Sequence, residues 1–380
     1  MPPFANRAEP AGLFRRFLDI NWLLVALIIV VTLAGFAMLY SAAGGQLQPW
    51  AGRQMIRFAA GLVLMLVIAV TSLRFWMRWS YGIYLLALAL LITVEIIGAS
   101  GMGARRWIDL GVVQLQPSEF MKVALVLAVA RYFNSLRAEE AMRLRALVVP
   151  LLLLVAPVIL VLRQPDLGTA VLLVLTVSIM LWTVGVRLRI FVAAGIVLLA
   201  AIPLAWQFVL YDYQKTRMLT FLYPERDPLG AGYHITQSKI ALGSGGVLGK
   251  GFMQGSQSHL SFLPERQTDF IFTMLAEEFG LVGALALLLL YLMIILLGLA
   301  IAMRARSQFG RLMAGGIMAT FFLYVFINIA MVTGLVPVVG VPLPLVSYGG
   351  TSMLSLLIGF GLVLCVYVHR DQTLPRYDQD

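Results

Sequence analysis

Residues 262–302, FLPERQTDFIFTMLAEEFGLVGALALLLLYLMIILLGLAIA, hold the pattern that decides the fold. The part from Leu281 to Ala302 carries no charged residue, and a run of that length spans the ~30 Å of a bilayer's hydrocarbon. Glu265, Arg266, Asp269, Glu277 and Glu278 crowd its entrance. An ionised group inside a bilayer costs about 2.5–3.5 kcal/mol even on the lenient insertion scale. Glu277 and Glu278 are too short to reach water, so they should face a polar interior or pack between helices on Arg or backbone partners. Pro264 is placed to start a helix. Asp269 then falls near the outer end, where the helix dipole favours a carboxylate. An ionised Asp269 is competent as a base or metal ligand, though a weak base unless burial raises its pKa.

The same pattern recurs outward along the chain. Of 380 residues, 61% are hydrophobic and 12% charged, against about 25% charged in soluble proteins. Apolar runs fall at 21–41, 56–72, 80–99, 118–134, 146–163, 167–185, 190–209, 269–302, 312–333 and 349–368. Lipid cannot hydrogen-bond a bare backbone, so these are helices, and the short alternating segments of a β-barrel are missing. The expected fold is all-α and polytopic, with about ten transmembrane helices. The 269–302 segment exceeds what a bilayer needs and should tilt or project into water.

Arginine places the sides. Arg7, Arg15, Arg16, Arg74, Arg78, Arg137, Arg143, Arg145, Arg187, Arg189, Arg304, Arg306, Arg311, Arg370 and Arg376 share one side; only Arg53, Arg57, Arg105, Arg106 and Arg163 lie in short connections on the other. Both termini are therefore expected in the cytoplasm. The organisation is a tail 1–20, spans 1–7 over 21–209, a large extracytoplasmic loop 210–268 between spans 7 and 8, spans 8–10 over 269–368, and a tail 369–380. No cleavage signal precedes the first span, which should remain as an anchor. The net charge of +10 is scattered over helix ends, which argues against nucleic acid. Cys365 is the only cysteine, so neither an intramolecular disulfide nor a cysteine metal cluster is available.

Four further stretches bear on chemistry. In GARRWIDLGVVQLQPSEFMK, 103–122, Pro117 and Ser118 suit a helix start, and Glu119 and Lys122 share one face. They form either a neutral pair locking two helices or, with Arg105 or Arg106, the lining of an anion-binding cavity. In RQPDLGTA, 163–170, Asp166 is either a helix cap or a carboxylate fixing Arg163. In the long loop, 233–242 suits a short interfacial amphipathic helix. GSGGVLGKG, 243–251, fails the phosphate-loop spacing because Ser244 and Gly251 stand where Gly and Ser/Thr are needed; it reads as a turn that lets backbone approach something closely. GLVPVVGVPLPLVSY, 334–348, cannot be a regular helix, and such backbone is tolerated where protein buries it or it lines a cavity. His234 and His259 lack metal-ligand spacing, and the Asp-x-Asp at 378–380 is terminal.

Taken together, GARRWIDLG…QPSEFMK, QPDLGTA, YHITQSKIALGSGG…GKGFMQGSQSHLSFLPERQTDFIFTMLAEE and GLVPVVGVPLPLVSYGGTSM resemble, in order and over the whole membrane region, the SEDS family (shape, elongation, division and sporulation). DPLGAGYHITQSKIA and FLPERQTDF are similar to its rod-shape, RodA-type branch; the septal, FtsW-type branch usually has PEA where Pro264, Glu265 and Arg266 stand. The resemblance implies a ten-helix peptidoglycan glycosyltransferase of the bacterial inner membrane. It would polymerise lipid II on the outer face, with a class B penicillin-binding protein and the elongation machinery as partners. The family's essential aspartate corresponds to Asp269, and its polar cavity residues to Arg106, Glu119, Lys122 and Asp166. Arg105, Arg217, Lys239, Glu265, Arg266 and Ser347 lie in the same motifs or the long loop as further candidates for the lipid II cavity. The chemistry then asks for a base, Asp269, and for cations on the departing pyrophosphate: Lys122, Arg106 and Arg217, with Mg²⁺ or Mn²⁺ held by Asp269 as a further expectation. A lipid II flippase is the alternative, since intramembrane charge and a broken helix also suit transport; a scaffold for the transpeptidase is another.

Overall fold

In a computed structural model of the chain, residues 12–101, 104–109, 114–208, 212–223, 231–256 and 265–375 are described. The helices are α1 (Leu13–Leu18), α2 (Trp22–Ala42), α3 (Ala51–Val70), α4 (Leu73–Ile97), α5 (Pro117–Ser135), α6 (Ala138–Ala141), α7 (Val148–Arg163), α8 (Leu167–Val184), α9 (Leu188–Phe208), α10 (Asp212–Leu222), α11 (Ala231–Ser244), α12 (Ile271–Arg304), α13 (Gln308–Val332) and α14 (Gly350–Val368). Among the described residues, eight helices are long and apolar enough to cross a membrane: α2, α3, α4, the unit 144–163 that ends in α7, α8, α12, α13 and α14. The chain is a multi-pass helical membrane protein. Helices α5 and α9 occupy the two remaining positions where spans are expected; α5 carries Glu119, Lys122 and Arg131, which dilute its apolar character.

Local chemistry sets the boundaries. Ser72 caps α4 through Phe75 N, and Ser307 caps α13 through Gly310 N. Both caps start the helix several residues before the apolar run begins, because a cap side chain satisfies backbone donors whether or not the first turn is greasy. Asp166 is the N-cap of α8, accepting from Thr169 N at 3.1 Å and Thr169 Oγ1 at 2.9 Å. Arg163 instead meets Glu95, at 3.4 Å.

The expected helical fold holds; within it three expectations need correction, and between α4 and α5 the strands β1 (Ala99–Gly101), β2 (Ala104–Asp109) and β3 (Gln114–Leu115) form a small antiparallel sheet ordered β1-β2-β3. The connection is short, and pairing is the local way to satisfy its backbone. Ser118 does not cap α5; Gln116 is the N-cap and Pro117 the first helical residue. Helix α12 starts at Ile271, so Asp269 precedes the N-cap Phe270, and Pro264 lies outside the described residues. Finally, 269–302 is not one over-long rod. Gly280, at φ 66° and ψ −163°, breaks α12 into a short outer helix and a long inner one.

The break explains the glycine-rich stretch. Residues 246–251 dock into it through four backbone bonds: Lys250 N to Glu277 O, Gly251 N to Glu278 O, Leu281 N to Gly246 O and Val282 N to Val247 O, at 3.0–3.1 Å. Donors and acceptors orphaned by the break are thereby paired, which low dielectric demands. At Gly249, itself at φ +83°, a Cβ would stand 2.1 Å from Glu278 O.

Helix α13 is the hub, packing on α5, α8, α12 and α14. The 334–348 segment is non-helical, and most of its residues from Val341 to Ser347 are buried. Its polar backbone is served by Asn328, whose amide donates to Val341 O at 2.7 Å; by Tyr291, whose hydroxyl donates to Pro344 O at 2.6 Å; and by Gln54, whose amide donates to Ser347 O at 3.1 Å. Gly35 of α2 lets the segment pass, since a Cβ there would lie 2.7 Å from Val346 Cα; small residues serve close packing where no hydrophobic effect drives helices together.

Candidate active site

At one end of the bundle α5, α8, α12 and α14 begin, and the 334–348 segment threads between them. Helix starts present unpaired N–H groups and partial positive charge, a setting suited to anions. Contacts link the pieces. Gly340 lies next to Asp269, where a Cβ would be 3.6 Å from Oδ2. On the other side Val339 O abuts Gly168 in the first turn of α8, where a Cβ would be 2.8 Å away. Arg106 grips the turn before α8, donating to Gln164 O at 2.9 Å and Pro165 O at 2.5 Å. Residues 339–340 thus run between Asp269 and the first turn of α8, which Asp166 caps and whose preceding turn Arg106 holds.

The pair on α5 forms the second half of the site. Lys122 Nζ lies 2.6 Å from Glu119 Oε1, and both side chains are buried. Glu119 also accepts from Tyr324, 3.0 Å from each carboxylate oxygen, and from Ser355 Oγ at 3.1 Å. The Lys122 ammonium stands 4.4 Å from the centre of the Tyr324 ring, an attractive arrangement. An isolated ion pair in low dielectric barely offsets its own desolvation; the added hydroxyls make this one tenable. A small cavity of about 20 Å³ opens here, lined by Glu119, Lys122, Thr320, Tyr324, Ser355 and apolar neighbours. A second, of about 10 Å³, lies between Tyr324 and residues 342–347. Tyr324 and Leu356 line both. An apolar wall with a few converging polar groups is the usual makeup of a ligand site.

Tyr324 and Asn328 went unmarked in the sequence, yet they join the two halves. One turn apart on α13, Tyr324 holds Glu119 while Asn328 donates to Asp269 O at 3.0 Å and to Val341 O. The available signal was a pair of polar residues spaced i, i+4 in the apolar run FFLYVFINIA.

The other candidates are placed as follows. Ser347 is buried and engaged with backbone, donating to Thr268 O at 2.6 Å and accepting from Leu343 N at 2.8 Å. Glu265 is exposed, at φ 54°, in the turn that Thr268 closes by donating to its carbonyl; Arg266 is half-buried in the same turn. Lys239 is exposed on α11. The side chains of Arg105 and Arg217 lie outside the described residues, as do His259 and the side chain of His234. Glu277 and Glu278 do face a polar interior. Glu277 is fully buried with Lys250 Nζ at 2.7 Å, and Ser41 Oγ donates to Glu278 at 2.5 Å. Ser238 of α11 donates to Val332 O and shares a 2.8 Å bond with Thr273, so the helix expected at the interface packs on α12.

The profile of a family described as "Cell cycle protein" (FTSW_RODA_SPOVE) matches residues 17–372. This chain belongs to the FtsW/RodA/SpoVE family. The peptidoglycan glycosyltransferase MrdB of Escherichia coli K12 is 48% identical over 344 residues, covering 90% of this chain and 92% of that protein. Stage V sporulation protein E of Bacillus subtilis 168 is 34% identical, covering 90% of this chain and 96% of that one. Among solved structures, a chain from a study of polymerization and crosslinking by a peptidoglycan synthase complex matches with TM-score 0.82 and 33% identity, covering 93% of this chain and 99% of that one. The crystal structure of the Thermus thermophilus rod shape determining protein RodA matches with TM-score 0.70 and 30% identity, covering 93% of this chain and 98% of that one. The sequence resemblance to the SEDS family holds, and one of these structural neighbours is a rod shape determining protein.

Proposed function

We propose that this chain is a peptidoglycan glycosyltransferase of the cytoplasmic membrane. It would join lipid II units into glycan strands on the outer face during cell elongation. The high identity to MrdB over nearly the whole of both chains supports the activity. The observation that carries the site is the adjacency of Asp269 to the segment 339–341, itself tied by Asn328 to the helix that holds Glu119 and Lys122.

The reaction joins a sugar 4-hydroxyl to an anomeric carbon whose leaving group is a lipid pyrophosphate. Asp269 accepts the hydroxyl proton as the bond forms, which requires its carboxylate within hydrogen-bond reach of that oxygen. Lys122 and Arg106, together with the helix starts, offset the negative charge that grows on the departing pyrophosphate. One base and an activated leaving group make a single displacement with inversion at the anomeric carbon. Among the described residues no three His, Cys, Asp or Glu side chains converge into a ligand set. A divalent ion at Asp269 fits the common magnesium pattern of one carboxylate with substrate phosphates and waters, and when bound would supply Lewis-acid stabilisation of the pyrophosphate. A crosslinking transpeptidase is the proposed partner, by analogy with the synthase complex among the structural neighbours.

The test is polymerisation of lipid II by the purified chain in detergent, alone and with Asp269→Asn. Chains formed by the parent and lost in the variant are expected. Wild-type chain formation by an intact Asp269→Asn protein would overturn the assignment of the base. Exchange of lipid II between leaflets of vesicles without any chains would favour the transporter reading.

A further inference from the structure

We infer that Lys250 and Glu277 are positioning residues, which set where Asp269 stands through the short outer helix of α12. The inference rests on the reading of Asp269 as the reacting carboxylate.

The outer helix runs from Ile271 to the break at Gly280 and is joined to the long inner helix by one left-handed residue. Without outside support, such a joint swivels, because no helical hydrogen bonds cross it. Support comes from the docked stretch 246–251. Its backbone pins the last outer carbonyls, Glu277 O and Glu278 O, and the first inner amides, Leu281 N and Val282 N. One residue of that stretch does more. Lys250 donates its backbone N–H to Glu277 O at 3.1 Å and its ammonium to Glu277 Oε1 at 2.7 Å, gripping the residue at both ends. Ser256 completes the cluster, accepting from Lys250 Nζ at 2.9 Å and lying 3.4 Å from Glu277 Oε1. Glu277 is fully buried, whereas the Lys250 side chain is 27% exposed. The lysine is therefore the group a partner could reach, and the glutamate the group that holds the helix.

Geometry converts this grip into an effect at the far end. Asp269 and Glu277 are eight residues apart, roughly 12 Å at helical rise. A tilt of about 5° at the break then moves the outer end by about 1 Å, and a displacement of that size costs on the order of 100-fold in rate. The outer end has its own tether, Asn328 to Asp269 O, so the helix is held at both ends and Asp269 has one place to stand.

The experiment measures lipid II polymerisation by the purified full chain carrying Lys250→Met, Glu277→Gln, both together, or Lys250→Arg. In parallel, the maleimide labelling rate of Asp269→Cys is read with and without each change. The double variant matters because Lys250→Met alone takes the ammonium away from a buried carboxylate, which destabilises the fold on its own account. Expected results are a kcat lower by about 10- to 100-fold with KM unchanged, a double variant no worse than either single, activity kept by Lys250→Arg, and an altered labelling rate at position 269. Wild-type kcat in the double variant, or lost kcat with an unaltered labelling rate in a folded protein, would overturn the inference. Should Asp269→Asn retain activity, the base assignment falls separately, while the labelling rate still reports whether the pair sets the position of residue 269.

Discussion

Tyr324 and Asn328 stand one turn apart on α13, the first with its hydroxyl 3.0 Å from both oxygens of Glu119, the second with its amide 3.0 Å from the carbonyl of Asp269. A single rigid helix therefore fixes the spacing between the Glu119–Lys122 ion pair on α5 and the aspartate before α12. Rigid elements hold reacting groups to within fractions of an ångström, which loops alone do not.

Asn328 is the more sensitive of the two. Its amide serves two carbonyls, Asp269 O and Val341 O. Asn328→Leu keeps much of the volume and removes both bonds. Each orphaned acceptor costs about 1–3 kcal/mol, and kcat should fall by about 10- to 100-fold. Thermal unfolding in detergent and steady-state polymerisation check the two effects; unchanged kcat would remove Asn328 from the positioning of Asp269.

The Glu119–Lys122 pair should behave as a unit. Lys122→Met leaves a buried carboxylate with only hydroxyl partners and should cost about 3–5 kcal/mol of stability. The double change Glu119→Gln with Lys122→Met should recover most of that loss while polymerisation stays abolished. A double-variant cycle on thermal unfolding measures the coupling. Recovered activity in the stable double variant would assign the pair to packing alone.

Gly280→Ala tests the break in α12. The backbone there, at φ 66° and ψ −163°, is one that an L side chain scarcely adopts, and a Cβ would lie 2.3 Å from Gly249 N. Strain of about 1–3 kcal/mol is expected, with the docked stretch 246–251 displaced. Limited proteolysis of that stretch reads the displacement directly; a variant as resistant as the parent would mean the break is not what holds it.

His369, just past α14, makes stability depend on acidity. It is buried and has no hydrogen-bond partner at Nε2 among the described residues, while Nδ1 lies 2.9 Å from Cys365 O. Burial holds its imidazole below the ordinary 6.5; the Cys365 carbonyl opposes this and Arg16 adds to it. The unfolded chain therefore takes up the proton first, at the ordinary value. The contribution of neutral His369 is fully present above about 6.5 and is lost as pH falls from there through the lowered folded value. The melting temperature in detergent should drop over that window, and His369→Gln should flatten this part of the profile.

Composition and hydropathy alone determined that the chain is helical and lies in a membrane, because a bare backbone in hydrocarbon has few solutions and long uncharged runs are visible without a fold. The motifs also offered a cap as one of two readings of Asp166 and ruled out a helix at 334–348, since capping and proline chemistry act within a few residues. The sheet at 99–115, the break at Gly280 and the docking of 246–251 into that break were not legible, although the stretch announced close backbone approach. The sheet depends on local backbone pairing that hydropathy does not show, and the docking of 246–251 into the break on hydrogen bonds between residues distant in the chain. The same holds for the site. Asp269, Glu119 and Lys122 stand out in the sequence because charge is costly in lipid. That Tyr324 and Asn328 tie them together, and that Lys250 grips Glu277, were decided only by the tertiary structure, because a partner's identity is set by packing across helices and leaves no local mark.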